Sequence, residues 1–188
     1  AARSKAKVDA AVAEVSAVSG TSVMGVELDL ASLESITSLP TRLEAALGDA
    51  PTIDVLLNNA GVMAVPERLS TADGFEKTVG INHLGHFALV GTLMPMLKRA
   101  QKGFRVVTVS SDAHRIVDKQ KMADAIEANL DPATYAAGGW GAYCLSKAAN
   151  VLFTVELQRR LDIAGVKGSA VTLYPGMVQT DAIRYIIG

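Results

Sequence analysis

The sequence has one cysteine, Cys144, so no disulfide can form within the chain, which fits a reducing intracellular compartment without fixing one. Cys144 itself reads as a small buried apolar residue rather than a reactive thiol. Charge of one sign is also missing. The 18 Lys and Arg residues are scattered among 19 Asp and Glu for a net charge of -1, which excludes a basic surface able to neutralise a phosphate backbone. Long apolar runs are absent. The apolar stretches are strand-length, as at 54–57 and 105–109, and far short of the roughly 20 residues that a membrane helix needs. The chain opens on Ala1-Ala2-Arg3-Ser4-Lys5 with neither an initiator methionine nor a charged-then-apolar signal pattern, and is read as a truncated start. No repeat or low-complexity linker divides it. What is present is 49% hydrophobic residues in 188, the composition of one compact domain with a sizeable core, expected over residues 1–188.

Along the chain, helical and strand patterns alternate. Alanines and valines recur at helical spacing over 5–18, with Gly20 as a stop, which predicts an amphipathic helix. A strand is expected at 22–28, ending at Asp29, then a helix over 33–47 interrupted near Pro40. A short buried strand at 54–57 runs into the turn Asn58-Asn59-Ala60-Gly61. Thr71-Ala72-Asp73-Gly74 reads as the start of a long helix over 75–99. A strand at 104–109 ends in Ser110-Ser111. A polar stretch over 112–141, with a short helix around 122–128, reads as an insertion over a site. A strong helix at 142–161 and a last strand at 168–174, stopped by Pro175-Gly176, complete the pattern. Four strands alternating with helices imply right-handed crossovers and a doubly wound parallel sheet covered on both faces. Ligands of such sheets sit beyond the strands' carboxyl ends, which here carry Asp29, 58–61, Ser110-Ser111 and Pro175-Gly176.

Tyr143 and Lys147 are four apart on a helix, so a phenol and an ammonium share one face. A fixed positive charge favours the phenolate, so the tyrosine pKa is expected to fall and the phenol to exchange a proton near neutral pH. Taken alone, the pair also fits two surface side chains. Ser111 ends a strand where its hydroxyl can hydrogen-bond a carbonyl oxygen, or simply cap a turn. Asn82 lies in Gly80-Ile81-Asn82-His83-Leu84-Gly85, where two glycines and an asparagine weaken an otherwise apolar helix and suggest a backbone irregularity serving a site. His83 and His86 have no third ligand at convincing spacing, so no metal site is expected. His114 is too isolated to interpret.

In this order Asn58-Asn59-Ala60-Gly61, Asn82, Ser111, Tyr143-x-x-x-Lys147 and Pro175-Gly176 resemble the motif set of the short-chain dehydrogenase/reductase family. The strings Ala72-Asp73-Gly74-Phe75-Glu76, Asn82-His83-Leu84-Gly85-His86-Phe87 and Tyr143-Cys144-Leu145-Ser146-Lys147-Ala148-Ala149-Asn150 resemble its retinol dehydrogenase-like branch, near WW-domain oxidoreductases and protochlorophyllide reductases. The long interval from Ser111 to Tyr143 fits that branch. The resemblance implies a Rossmann-type α/β fold, with Tyr143 as general acid/base and Lys147 holding the nicotinamide ribose. It makes Ser111 orient the carbonyl or alcohol, and Asn82 hold a water linking the lysine to solvent. His83 and His86 become helix-packing and loop-contact residues. Asp29 and Leu30 would contact adenine, with Asn58, Ala60 and Gly61 beside its ribose. Pro175, Gly176, Val178 and Thr180 would contact the carboxamide and pyrophosphate. Arg3, beside Ala2 where NAD-preferring relatives carry an acid, favours NADP over NAD, because a guanidinium binds a 2'-phosphate bidentately.

The implied activity is hydride transfer between NADP and an apolar alcohol or carbonyl of retinoid, sterol or lipid-aldehyde type. The alternatives are a protochlorophyllide reductase-like ring reductase and a catalytically silent Rossmann binding module. The two helices carrying Asn82 and Tyr143 would form any dimer interface. The family's Thr-Gly-x-x-x-Gly-x-Gly loop is missing, since Gly138-Gly139-Trp140-Gly141 follows no strand. The expectation is therefore an internal fragment of a longer enzyme, lacking the first two strands. It is expected to be inactive alone and to leave the strand at 22–28 without a neighbour.

Overall fold

The computed structural model describes residues 1–129, 139–176 and 178, the side chains of 119–121 excepted. Helix α1 (Lys5–Ser19) ends at Gly20, whose left-handed φ of 65° lets its N–H return to Ser16 O. Helices α2 (Leu33–Thr37) and α3 (Leu39–Leu47) meet at Ser38, and Pro40 sits in the first turn of α3, where its missing N–H costs nothing. Strand β1 spans Val55–Asn58. A one-turn helix α4 (Lys77–Val79), a π-helical turn (Gly80–Leu84) and α5 (Gly85–Lys98) follow as one continuous rod. Strand β2 (Phe104–Val109), a 3-10 turn (Asp112–Ile116), α6 (Lys119–Glu127), α7 (Trp140–Ile163) and β3 (Gly168–Leu173) complete the described chain.

The strands form a parallel sheet in the order β1-β2-β3, with Leu56, Val106 and Ala170 in register across it. Two helical crossovers join parallel neighbours, as the doubly wound α/β pattern requires. On one face Leu56, Phe104 and Val106 pack with Leu89, Leu93 and Leu97 of α5, Ile36 of α2 and Leu161 of α7. Gly85 lets α5 start close beneath the turn at 29–30. A Cβ there would fall 2.5 Å from Leu30 O, and a backbone atom cannot yield as a side chain can.

Several expectations change. The strand at 22–28 does not join the sheet. It makes one parallel bridge, between Ala2 and Glu27, held by Ala2 N to Val26 O at 3.2 Å and Leu28 N to Ala2 O at 2.9 Å. The described sheet therefore has three strands rather than four. Its second face is not covered among the described residues: Val55 is 61% exposed, Leu57 57%, and Val171 and Leu173 are exposed beside them. Helix α1 buries only Val8, which with Val12 packs against Gly25 of the 22–28 segment. Residues 71–74 form a turn, and the helix begins at Lys77 because the carboxylate of buried Glu76 accepts the N–H groups of Thr78 and Val79 at 2.8 Å each. Part of the expected insertion, 130–138, lies outside the described residues.

Candidate active site

The site is built where β2 ends against the first turns of α7. Ser110 fastens the two, its N–H donating to Leu173 O at 2.8 Å and its hydroxyl to Lys147 O at 2.8 Å. Ser111 then begins the 3-10 turn, its Oγ accepting from Ala113 N at 3.3 Å. Trp140, Tyr143 and Lys147 recur at one-turn intervals along α7, so they share a stripe. The Trp140 ring stacks on Tyr143 with centroids 5.4 Å apart, and Lys147 Nζ lies 5.6 Å from the Tyr143 centroid. Lys147 is 5% exposed, and its Nζ donates to Val109 O, the last carbonyl of β2, at 3.0 Å.

Burial sets the electrostatics. Lys147 is held down to about 8, because burial strips water from its charged form. Tyr143 differs from the sequence expectation: its pKa is raised, first by burial, with the Ser111 hydrogen bond opposing and Cys144 and Tyr174 adding to the rise. The lysine does not lower it, because the ammonium sits over the ring, bonded to Val109 O, rather than at the hydroxyl. Cys144 is buried and its thiol is pushed up by that burial, which suits the packing role expected of it.

The expected irregularity at Asn82 is the π-helical turn itself, where the N–H of Gly85 reaches Gly80 O, one residue further back than an α-helix allows. The turn is stitched by the Asn82 side chain, fully buried, whose Oδ1 accepts from Val62 N at 2.8 Å. Its Nδ2 donates to Val62 O at 2.9 Å and to Ser146 Oγ at 3.0 Å. Ser146 in turn donates to Tyr143 O at 2.7 Å. Asn150, also buried, donates to Asn82 O at 3.0 Å and Val109 O at 3.4 Å, and its Oδ1 faces His83 Nδ1 at 3.1 Å. His86 Nδ1 lies 3.0 Å from Asn82 O, and burial pushes that imidazole down to about 4. His83 packs between Phe87 and Phe153, and its pKa is lowered by burial.

Sequence reasoning placed Ser110 at the strand end without a role of its own, and missed Ser146 and Asn150. The available signal was polar residues on the stripe of α7 that faces Asn82, at three and seven residues beyond Tyr143. Among the residues expected at a nucleotide, Gly61 comes closest to this centre. A Cβ there would meet Asn82 Oδ1 at 3.1 Å and lie 3.8 Å from Lys147 Nζ, so only glycine brings the backbone in without pushing on Asn82. Ala60 and Gly61 are exposed, whereas Asn58 is buried, donates to Thr108 Oγ1 at 3.4 Å and leaves its Oδ1 without a partner among the described residues. Asp29 folds into its own turn, Oδ1 accepting Ala31 N at 2.9 Å, with Leu30 packed above Gly85. Arg3 is exposed beside the bridge at Ala2. Pro175, Gly176 (φ 83°) and Val178 are exposed beyond β3, and Thr180 lies outside the described residues. Asn82, Ser111, Tyr143 and Lys147 thus converge with Gly61, while Arg3, Asp29 and Leu30 lie along and just beyond the 22–28 segment, apart from that cluster.

Among the described residues no helix is long and apolar enough to cross a membrane. Residues 1–123 match the family model described as short chain dehydrogenase. The chain is 42% identical to human Retinol dehydrogenase 11 over 162 residues, covering 85% of this chain and 46% of that protein. A crystal structure of an uncharacterized protein from Mycobacterium paratuberculosis is 40% identical and superposes with a TM-score of 0.71 over 98% of this chain and 60% of that one. A short-chain dehydrogenase/reductase from Burkholderia phymatum, solved in complex with NAD, superposes with a TM-score of 0.71 over 98% of this chain and 58% of that one, and at 22% identity it speaks for the fold alone. The chain spans about half the length of the curated relatives it matches. By family model, sheet topology and relatives together, it is a Rossmann-type α/β chain similar to the retinol dehydrogenases, and it belongs to the short-chain dehydrogenase family.

Proposed function

We propose that this chain, acting as one domain, carries the catalytic residues and part of the nucleotide site of an NADP-dependent oxidoreductase that interconverts an alcohol and a carbonyl compound. The observation that carries the reading is the Tyr143 ring beside a buried Lys147, whose Nζ lies 5.6 Å from the ring centroid and donates to Val109 O. In the reducing direction the Tyr143 hydroxyl donates its proton to the carbonyl oxygen, which Ser111 Oγ holds in place. A phenol whose pKa is raised is fully protonated at neutral pH and ready for that step. Lys147, held to about 8, is mostly charged at pH 7 and offers that charge to the nucleotide ribose beside Tyr143. Above pH 8 the charge is lost, so the rate of carbonyl reduction falls there.

The nucleotide fits the carboxyl-end crevice on one observation in particular: the side-chain-free Gly61 backbone lies against Asn82 and Lys147. When bound, it supplies or accepts the hydride. Lys147 has donors left for its ribose, and Ala60, Gly61, Asp29, Leu30, Pro175, Gly176 and Val178 would flank it. Arg3 would take a 2'-phosphate. Trp140 and Tyr174, both partly exposed near Tyr143, suit an apolar retinoid, sterol or lipid-aldehyde substrate. That substrate class rests on likeness of the branch. Exposed Phe87, Leu152 and Val155 on α5 and α7 suit a dimer surface.

The test is NADPH oxidation with a panel of apolar aldehydes and ketones by the longest natural chain that contains these residues. Tyr143→Phe is expected to abolish turnover while dinucleotide binding stays within threefold, and Arg3→Glu to shift preference from NADPH toward NADH. Equal turnover by Tyr143→Phe would sink the mechanism.

A further inference from the structure

The geometry points to Asn150, oriented by His83, as the positioning residue that sets where the Lys147 ammonium lies. This rests on the oxidoreductase reading above. The side-chain amide of Asn150 faces two carbonyls, Asn82 O at 3.0 Å and Val109 O at 3.4 Å. Carbonyls only accept, so the NH2 group must face them and Oδ1 must face His83. His83 Nδ1 therefore carries a hydrogen and donates it to Oδ1.

Val109 O, where Asn150 makes its longer bond, is also the acceptor of Lys147 Nζ at 3.0 Å. One buried amide thus joins the π-helical turn to the end of β2 at the very carbonyl that holds the lysine. Asn82 O is filled from the other side by His86, whose Nδ1 faces it at 3.0 Å. With two side-chain donors on it, that carbonyl is locked in place, and the link between the turn and Lys147 runs through Asn150. A helix interior disfavours asparagine, and a buried amide costs free energy unless every polar atom is paired. Here every polar atom of Asn150 has a partner.

The experiment compares Asn150→Leu, Asn150→Asp and Tyr143→Phe in the longest natural chain containing these residues, by NADPH oxidation with an apolar aldehyde across pH 6–10. Asn150→Leu is expected to lower kcat at least tenfold with the KM for NADPH changed less than threefold, since the lysine keeps its charge but loses its seat. Asn150→Asp sets a carboxylate beside the ammonium and is expected to move the basic limb of the kcat profile upward by half a pH unit or more. If Asn150→Leu does not fold, His83→Phe, which removes the donor to Oδ1 at the partly exposed end of the network, is expected to lower kcat in the same pattern by a smaller factor. Turnover surviving in Tyr143→Phe overturns the oxidoreductase mechanism. An inactive Tyr143→Phe together with Asn150 variants within twofold of the parent in kcat, and an unmoved basic limb, overturns only the positioning role.

Discussion

The seam between the π-helical turn and α7 and the uncovered face of the sheet are opposites. In the seam, polar side chains are buried, and those of Asn82, Ser146 and Asn150 are hydrogen-bonded. On the sheet face, apolar side chains are exposed: Val55, Leu57, Val171 and Leu173 share one face, with Leu57 and Val171 in register through Val107, and have no covering layer among the described residues. Apolar packing is non-directional and is met by any apolar partner. A buried polar network is satisfied by one geometry only, so it fixes atoms more sharply than a core does. The chain concentrates its directional interactions where Tyr143 and Lys147 must be held.

The largest way to break that contrast is Asn82→Leu. It keeps the volume and orphans both Val62 groups and the Asn82 Nδ2 acceptor on Ser146. Leaving two backbone groups unpaired is expected to cost about 3–4 kcal/mol in urea titration and at least a hundredfold in kcat. Lys147→Met acts in the opposite sense. The folded pKa, about 8, lies below the ordinary 10.5, so the unfolded chain holds the proton more tightly, and the full penalty applies below pH 8 and fades as pH rises to 10.5. The variant is expected to be inactive yet more stable by about 3 kcal/mol at pH 7, with no gain at pH 10.5. A stability gain that does not vary with pH would show that packing, not charge burial, is responsible.

His86 carries the same cost on the acid side. Its folded pKa of about 4 lies below the ordinary 6.5, so its contribution is intact above pH 6.5 and lost as pH falls toward 4. By pH 5 this amounts to about 2 kcal/mol. Unfolding curves of His86→Gln, which keeps a donor for Asn82 O, are expected to be flatter over pH 6.5–4 than those of the parent. Parallel curves would place the acid sensitivity elsewhere.

How legible each region was in the sequence follows from the same physics. Strands β2 and β3 fell where their β-branched runs put them, and the π-helical turn announced itself through Gly80, Asn82 and Gly85 because helix propensity and apolar pattern conflicted there. Residues 22–28 have a strand's composition, yet pairing depends on a neighbour, and Ala2 supplies a single bridge. Ser146 and Asn150 were invisible because a polar residue on a helix reads as solvated until the facing element is known. The direction of the Tyr143 shift was missed likewise: spacing shows that a lysine is near, but not that the phenol is desolvated or that the ammonium is turned toward a carbonyl.

The smallest effect expected sharpens the comparison most. Leu56 and Leu57 are adjacent in β1 and point to opposite faces, the first packed against the α5 core and the second 57% exposed. In this 188-residue chain Leu56→Thr is expected to cost about 2 kcal/mol, because it leaves a void and a hydroxyl among apolar side chains. Leu57→Thr places a β-branched residue on a wetted face and is expected to stay within about 0.5 kcal/mol. The same pair measured in the longest natural chain turns the sheet face into a probe. If Leu57→Thr becomes as costly there as Leu56→Thr, further residues cover that face. If it stays neutral, the face is wet in the working protein, and the seam around Asn82 and α7 holds the site without a second layer behind the sheet.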